Sequence, residues 1–107
     1  MEEPRESDDG VRVVDNSAEL RYELEVEGAL AGVLRYRVEP GTVVLVHTDV
    51  HPAFEGRGLG GRLVAGALDD IRARGLRTVP HCPFAAAYIR RHPEYQNLVG
   101  VDPAVSE

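Results

Sequence analysis

The chain lacks the residues that usually open a helix at the one place where it most needs them. Residues 54 to 63 read FEGRGLGGRL, without Ser, Thr, Asp or Asn, yet LVAGAL at 63 to 68 has the look of a helix interior. Those four residue types normally satisfy the first free N–H groups of a helix. Cysteine is nearly absent: Cys82 stands alone, which excludes an internal disulfide framework and fits a reducing compartment. The chain does not open on a basic segment followed by an apolar one, and no apolar run approaches the roughly 20 residues that span a bilayer. A cytoplasmic chain without a membrane partner is expected. Cations are outnumbered as well, 12 Lys and Arg against 18 Asp and Glu, for a formal charge of -6. General nucleic-acid binding needs clustered cations against phosphates, so that class is set aside. Internal repeats and low-complexity segments are also missing.

What is present suits one small domain: 107 residues can enclose one modest core. The charge is uneven. MEEPRESDD at the start carries five acids against one arginine, whereas residues 57 to 77 carry five arginines against two aspartates. Residues 1 to 10 read as a disordered acidic tail, and 11 to 107 as the domain.

Val11 to Val14 is a short apolar-rich first strand. In RYELEVEG, Tyr22, Leu24 and Val26 alternate with Glu23, Glu25 and Glu27, a strand with one wet face. Glu27–Gly28 and Pro40–Gly41 mark turns on either side of ALAGVLRYRVE. VVLVHTDV begins with four apolar residues, as expected of a strand covered on both faces. Leu59, Leu63, Val64, Ala67, Leu68 and Ile71 then share one side of a helix that Gly75 ends. LRTVPHC is a fifth strand, and FAAAYIRRH a second helix ended before Pro93. The expected fold is mixed α/β: about five strands, mostly antiparallel, with a long helix after strand four and a second helix after strand five.

The glycine loop between strand four and the long helix would expose several N–H groups in one direction at the positive end of a helix dipole. A phosphate is a natural partner there, with Arg57 and Arg62 beside it. A glycine-rich surface turn with close helix–strand packing is the plainer alternative. Gly56, Gly58 and Gly61 fit G-x-G-x-x-G, but HPAFE separates them from the strand and GLRTVPHC supplies no acid after the helix. No Gly-Lys-Ser/Thr follows, so a P-loop is excluded as well.

VHTDVHPAFEGRGLGGRLV, at 46 to 64, resembles motif A of the GNAT superfamily of acyl-CoA-dependent N-acetyltransferases. HT-x-V-x-P at 47 to 52, EG-x-GLG at 55 to 60 and CPF-x-x-x-Y-I-x-x-HPEY at 82 to 95 are similar to the minimal, single-domain GNAT-like subfamily. The resemblance covers about residues 11 to 100. It implies that Glu55, Gly56, Arg57, Gly58, Leu59, Gly60 and Gly61 form the loop that holds the pyrophosphate of coenzyme A. It also implies that the strand ending at Val50 offers backbone groups to the pantetheine arm. Glu55 stands where most members have Gln or Arg, and the chain has no room for the early helices that bind the amine in larger members.

The activity so implied is acetyl transfer from acetyl-CoA, as co-substrate, to a small-molecule or peptide amine. The alternatives are a coenzyme A binding module without turnover, and thiol-dependent acyl transfer through Cys82. Tyr88 matches the tyrosine at which many members place a general acid; as bare sequence it reads equally as a core aromatic. His47, at the end of the fourth strand, is a candidate base, although a lone histidine more often packs. In the subfamily Cys82 would lie near the thioester, where it could accept the acyl group or simply line the channel. His47 and His51 lie about 13 Å apart along a strand, so no metal site is expected. The sequence does not decide between monomer and homodimer.

Overall fold

In the computed structural model of the chain, residues 10–101 are described. The acidic tail expected over 1 to 10 therefore lies outside the described residues, except for Gly10. Gly10 belongs to the fold, its carbonyl accepting the N–H of Glu27 at 2.9 Å.

Five strands make one sheet in sequence order: β1 Val11–Asn16, β2 Arg21–Val26, β3 Ala29–Glu39, β4 Thr42–Val50 and β5 Arg77–Pro80. The first four pair antiparallel; β5 lies parallel to β4. Two helices follow the expected places, α1 Leu59–Ala73 and α2 Pro83–Arg91. Three short 3₁₀ helices, Ser17–Glu19, Pro52–Phe54 and Pro93–Leu98, add to this order. The Glu27–Gly28 hairpin forms as read, with both residues at positive φ (50° and 84°), the conformation that matches the twist of a tight hairpin.

The core lies between the sheet and the helices. Tyr22, Leu24, Leu34, Val43 and Leu45 from the strands meet all six of the apolar residues that the 3.6-residue period assigns to α1. Gly66 allows α1 to settle on β1, since a Cβ there would come within 2.7 Å of the Val13 side chain. No helix among the described residues is long and apolar enough to cross a membrane.

Two register shifts break the ladders, between Leu24 and Glu25 on β2 and between Arg35 and Tyr36 on β3. At the second, Tyr36 faces Leu45 and Arg35 faces His47, leaving Val46 as the extra residue. Such a bulge inverts the alternation of all that follows on its strand. Here it decides which side chains of β4 reach the candidate site.

Candidate functional site

Gly58 takes the N-cap position of α1 with φ 71°, a left-handed conformation that glycine adopts without strain, and no side chain among the described residues caps the helix. The first intrahelical bond runs from the Arg62 N–H to the Gly58 carbonyl. The N–H groups of Leu59, Gly60 and Gly61 precede it and have no partner among the described residues. Their dipoles add at this end of a 15-residue helix and favour an anion.

The four glycines serve two different ends. Gly56 and Gly58 have positive φ and open space where a Cβ would stand. Gly60 and Gly61 have helical backbones; a Cβ on Gly60 would meet the Phe84 ring at 2.9 Å, and one on Gly61 would meet Tyr88 Cε1 at 3.3 Å. The first pair shapes the loop. The second lets α2 lay its aromatic rings on the start of α1, a helix–helix approach rather than the helix–strand packing weighed above.

Beside the helix start, β4 loses its neighbour. Its pairing with β5 ends at Leu45 and Pro80, followed by one more bond from Cys82 N–H to the Leu45 carbonyl at 2.9 Å. Pairing with β3 continues to Val50. The last stretch of β4 thus has one bonded edge and one open edge, and the open edge borders a cleft of about 290 Å³. Its walls are Thr48 and Val50 of β4, Phe54 to Gly56, Gly58 to Gly61, and Phe84 of α2. Val50, Glu55, Gly56, Gly58, Leu59, Gly60 and Gly61 meet there. Arg57 does not line the cleft; its guanidinium lies 5.2 Å from the centre of the Phe54 ring, a cation–π contact.

The candidate chemical groups fall in three places. His47 is not brought to the cleft: its side chain is 59% exposed and its Nε2 pairs with Asp49 at 3.3 Å. The bulge at Val46 turns it to the face opposite Thr48. Cys82 is only 2% exposed and lies behind the cleft wall, its Sγ 3.1 Å from Thr48 Oγ1. Tyr88 rests on Gly61, itself a wall of the cleft. Of the chain's four tyrosines, Tyr22 donates to Asp70, Tyr36 to Asp15 and Tyr95 to Asp69. The Tyr88 hydroxyl alone has no hydrogen-bond partner among the described residues.

The HPEY segment holds Tyr88 in place. His92 stacks on its ring with centroids 3.8 Å apart and planes 14° from parallel. His92 Nδ1 lies 2.7 Å from the Tyr88 carbonyl; a carbonyl only accepts, so Nδ1 carries the proton. Tyr95 packs 6.2 Å away on the Tyr88 ring and anchors through Asp69 to α1. Burial first, then the carboxylates of Glu94 and Asp69, push the Tyr88 phenol pKa up, so it keeps its proton at neutral pH.

Sequence reasoning missed Thr48, Phe54 and Phe84 as cleft walls and His92 as a stacking partner. All four sit inside the quoted motifs, but only the folded chain reveals where they face.

Residues 21–98 match the family model described as GCN5-related N-acetyl-transferase. Protein NATD1 of Xenopus tropicalis is 30% identical over 95 residues, spanning 87% of each chain. The solution structure of a GCN5-like protein from Staphylococcus aureus superposes with a TM-score of 0.64 at 20% identity, over 89% of this chain and 94% of that one. A GNAT-family acetyltransferase of Brucella melitensis, crystallised with acetyl-CoA, matches 60% of this chain and 47% of its own, at 27% identity and a TM-score of 0.50.

Proposed function

Starting from the chain's membership of the GCN5-related N-acetyltransferase family, a family of acetyltransferase enzymes, we propose that it binds acetyl-CoA in the cleft between α1 and β4 and transfers the acetyl group to a primary amine. One observation carries the reading: the unpartnered amides of Leu59, Gly60 and Gly61 adjoin the open edge of β4 over one cleft. That pairing fits the two ends of the co-substrate. The amides suit a diphosphate. The open strand edge suits the amide groups of pantetheine, which pair with a strand as another strand would. The complex of the Brucella melitensis protein with acetyl-CoA supports this choice of ligand.

Tyr88 is the general acid in this reading. Its proton is retained at neutral pH, and its hydroxyl is not spent on an acceptor among the described residues. As the amine nitrogen bonds to the thioester carbon and the C–S bond breaks, sulfur leaves with the bonding pair and takes the phenol proton. The surplus proton on nitrogen passes to water, and the phenolate regains one from water. This assigns Tyr88 a role of the kind that contributes about 10²–10⁴-fold in rate. Direct transfer is favoured over a covalent route, because Cys82 is buried behind Thr48 rather than lining the cleft. The acceptor is a small-molecule or peptide amine.

Isothermal titration with acetyl-CoA, coupled to thiol release over a panel of primary amines, tests the proposal. Heat of binding and amine-dependent thiol are expected from the wild-type chain. Gly58→Glu sets a carboxylate where the diphosphate belongs and forces φ 71° on a residue with a side chain; it should abolish binding. Undiminished affinity in that variant would refute the site.

A further inference from the structure

Among the residues that wall the cleft, one side chain carries a hydroxyl, Thr48, and the only other polar side chain is Glu55. Thr48 Oγ1 stands 3.1 Å from Cys82 Sγ, and either atom can be the donor. Neither side chain has a second hydrogen-bond partner among the described residues. Two arrangements follow. If the hydroxyl donates to sulfur, the buried S–H has no acceptor. If the S–H donates to oxygen, the hydroxyl proton is left over in a residue that borders the cleft. Sulfur is a weak partner in either role. A ligand oxygen within reach therefore favours the second arrangement, because two hydrogen bonds then form instead of one.

We propose that Thr48 is a catalytic residue of the acetyl transfer: with the Cys82 S–H held on its oxygen, its hydroxyl donates to the thioester carbonyl oxygen. Negative charge collects on that oxygen as the amine adds. A donor already aimed there lowers the barrier without reorganising. When the C–N bond forms, the carbonyl π pair moves onto oxygen and Thr48 keeps its proton while its hydrogen bond strengthens. When the C–S bond breaks, that pair returns to the carbonyl and the C–S pair leaves on sulfur. Cys82 acts only through Thr48, as a positioning residue. The inference rests on the acetyl-CoA reading above.

Acetyl-CoA labelled with ¹³C at the acetyl carbonyl provides a readout that needs no acceptor amine. A hydrogen bond to that oxygen lowers its infrared stretching frequency, and since water already supplies such bonds to free acetyl-CoA, the wild-type complex is compared with the complex of Thr48→Val and should absorb below it. Thr48→Val keeps the shape and removes the donor: the carbonyl band should rise above that of the wild-type complex, while Kd, from calorimetry on the same samples, weakens by no more than about tenfold, the worth of one hydrogen bond. Thr48→Ser should restore the shift. Cys82→Ser, which still supplies a donor to Thr48, should retain it, and Cys82→Ala should reduce it. An unchanged carbonyl band in Thr48→Val overturns the proposal. So does an acetyl group found on Cys82 by intact mass spectrometry. Absence of calorimetric binding by the wild-type chain refutes the acetyl-CoA reading itself and is distinguishable, since no bound carbonyl then exists.

Discussion

Four tyrosines sit in this small chain, and what their hydroxyls touch separates structure from chemistry. Tyr22, Tyr36 and Tyr95 each give their proton to an aspartate at 2.6 to 2.8 Å and cannot offer it to a substrate without breaking a tie. Tyr88 has no such tie among the described residues, and its ring orientation is set from both sides, by Gly61 and by the His92 stack. Tyr88→Phe removes the hydroxyl and keeps the ring. It should lower kcat by about 10²-fold or more and leave the acetyl-CoA Kd unchanged, measured by thiol release and by calorimetry. Wild-type kcat in that variant would remove Tyr88 from the mechanism. His92→Ala should lower kcat by letting the phenol swing, with KM for acetyl-CoA unaltered. His92→Phe, which keeps a flat ring against Tyr88, should recover part of the rate. Equal losses in both variants would mean that the stack is not what positions the phenol.

At the level of the elements, the start of α1 answers to the loop before it and to the helix packed on it. Gly58→Ala keeps the space but forces a Cβ onto a left-handed residue, at a cost of about 1–2 kcal/mol. Gly60→Ala has an ordinary backbone but drives a methyl to 2.9 Å from the Phe84 ring. Thermal melts should show both variants destabilised. Phe84→Ala should rescue Gly60→Ala and not Gly58→Ala, because only the former suffers from the ring; equal rescue of both would show the two glycines to be alike. This division was hidden in FEGRGLGG, where the glycines look equivalent and Phe84 is more than twenty residues away. The elements themselves were legible: the apolar period of α1, the hairpin at Glu27–Gly28 and the stop at Gly75 all follow from local chemistry. The phase of β4 was not. Counting by twos from Val43 and Leu45, both in the core, would turn His47 inward, as a candidate base requires. The bulge at Val46 adds one residue and turns Thr48 and Val50 to the cleft instead. A bulge depends on both strands of the pair and on close approaches such as that of Gly32, where a Cβ would meet the Asp49 carbonyl at 2.8 Å. None of this is written in β4 alone.

Across the whole molecule, the tyrosine–aspartate ties bind the far half of α1 to the rest of the fold, well away from its uncapped first turn. Tyr22 of β2 reaches Asp70 on α1, and Tyr95 beyond α2 reaches Asp69. Arg74, just past α1, bridges Asp70 and Asp15 at 3.0 and 2.7 Å, and Asp15 in turn accepts from Tyr36. Burial first, then the hydrogen bond to the aspartate, raises the pKa of each of these three phenols. A raised pKa means that the folded chain holds the proton more tightly than the unfolded chain, whose tyrosines titrate near about pH 10. The resulting stability is complete below that value. It is lost as pH climbs from there toward the folded pKa values, because the unfolded chain releases its protons first. Urea unfolding measured from neutral pH to about pH 11 should therefore show stability falling steeply over the last unit. Tyr22→Phe, which removes the most buried of the three phenols, should be less stable at neutral pH through loss of the bond to Asp70, yet show a shallower alkaline decline. A decline as steep in Tyr22→Phe as in the wild-type chain would mean that its proton is not what the alkaline limb reports.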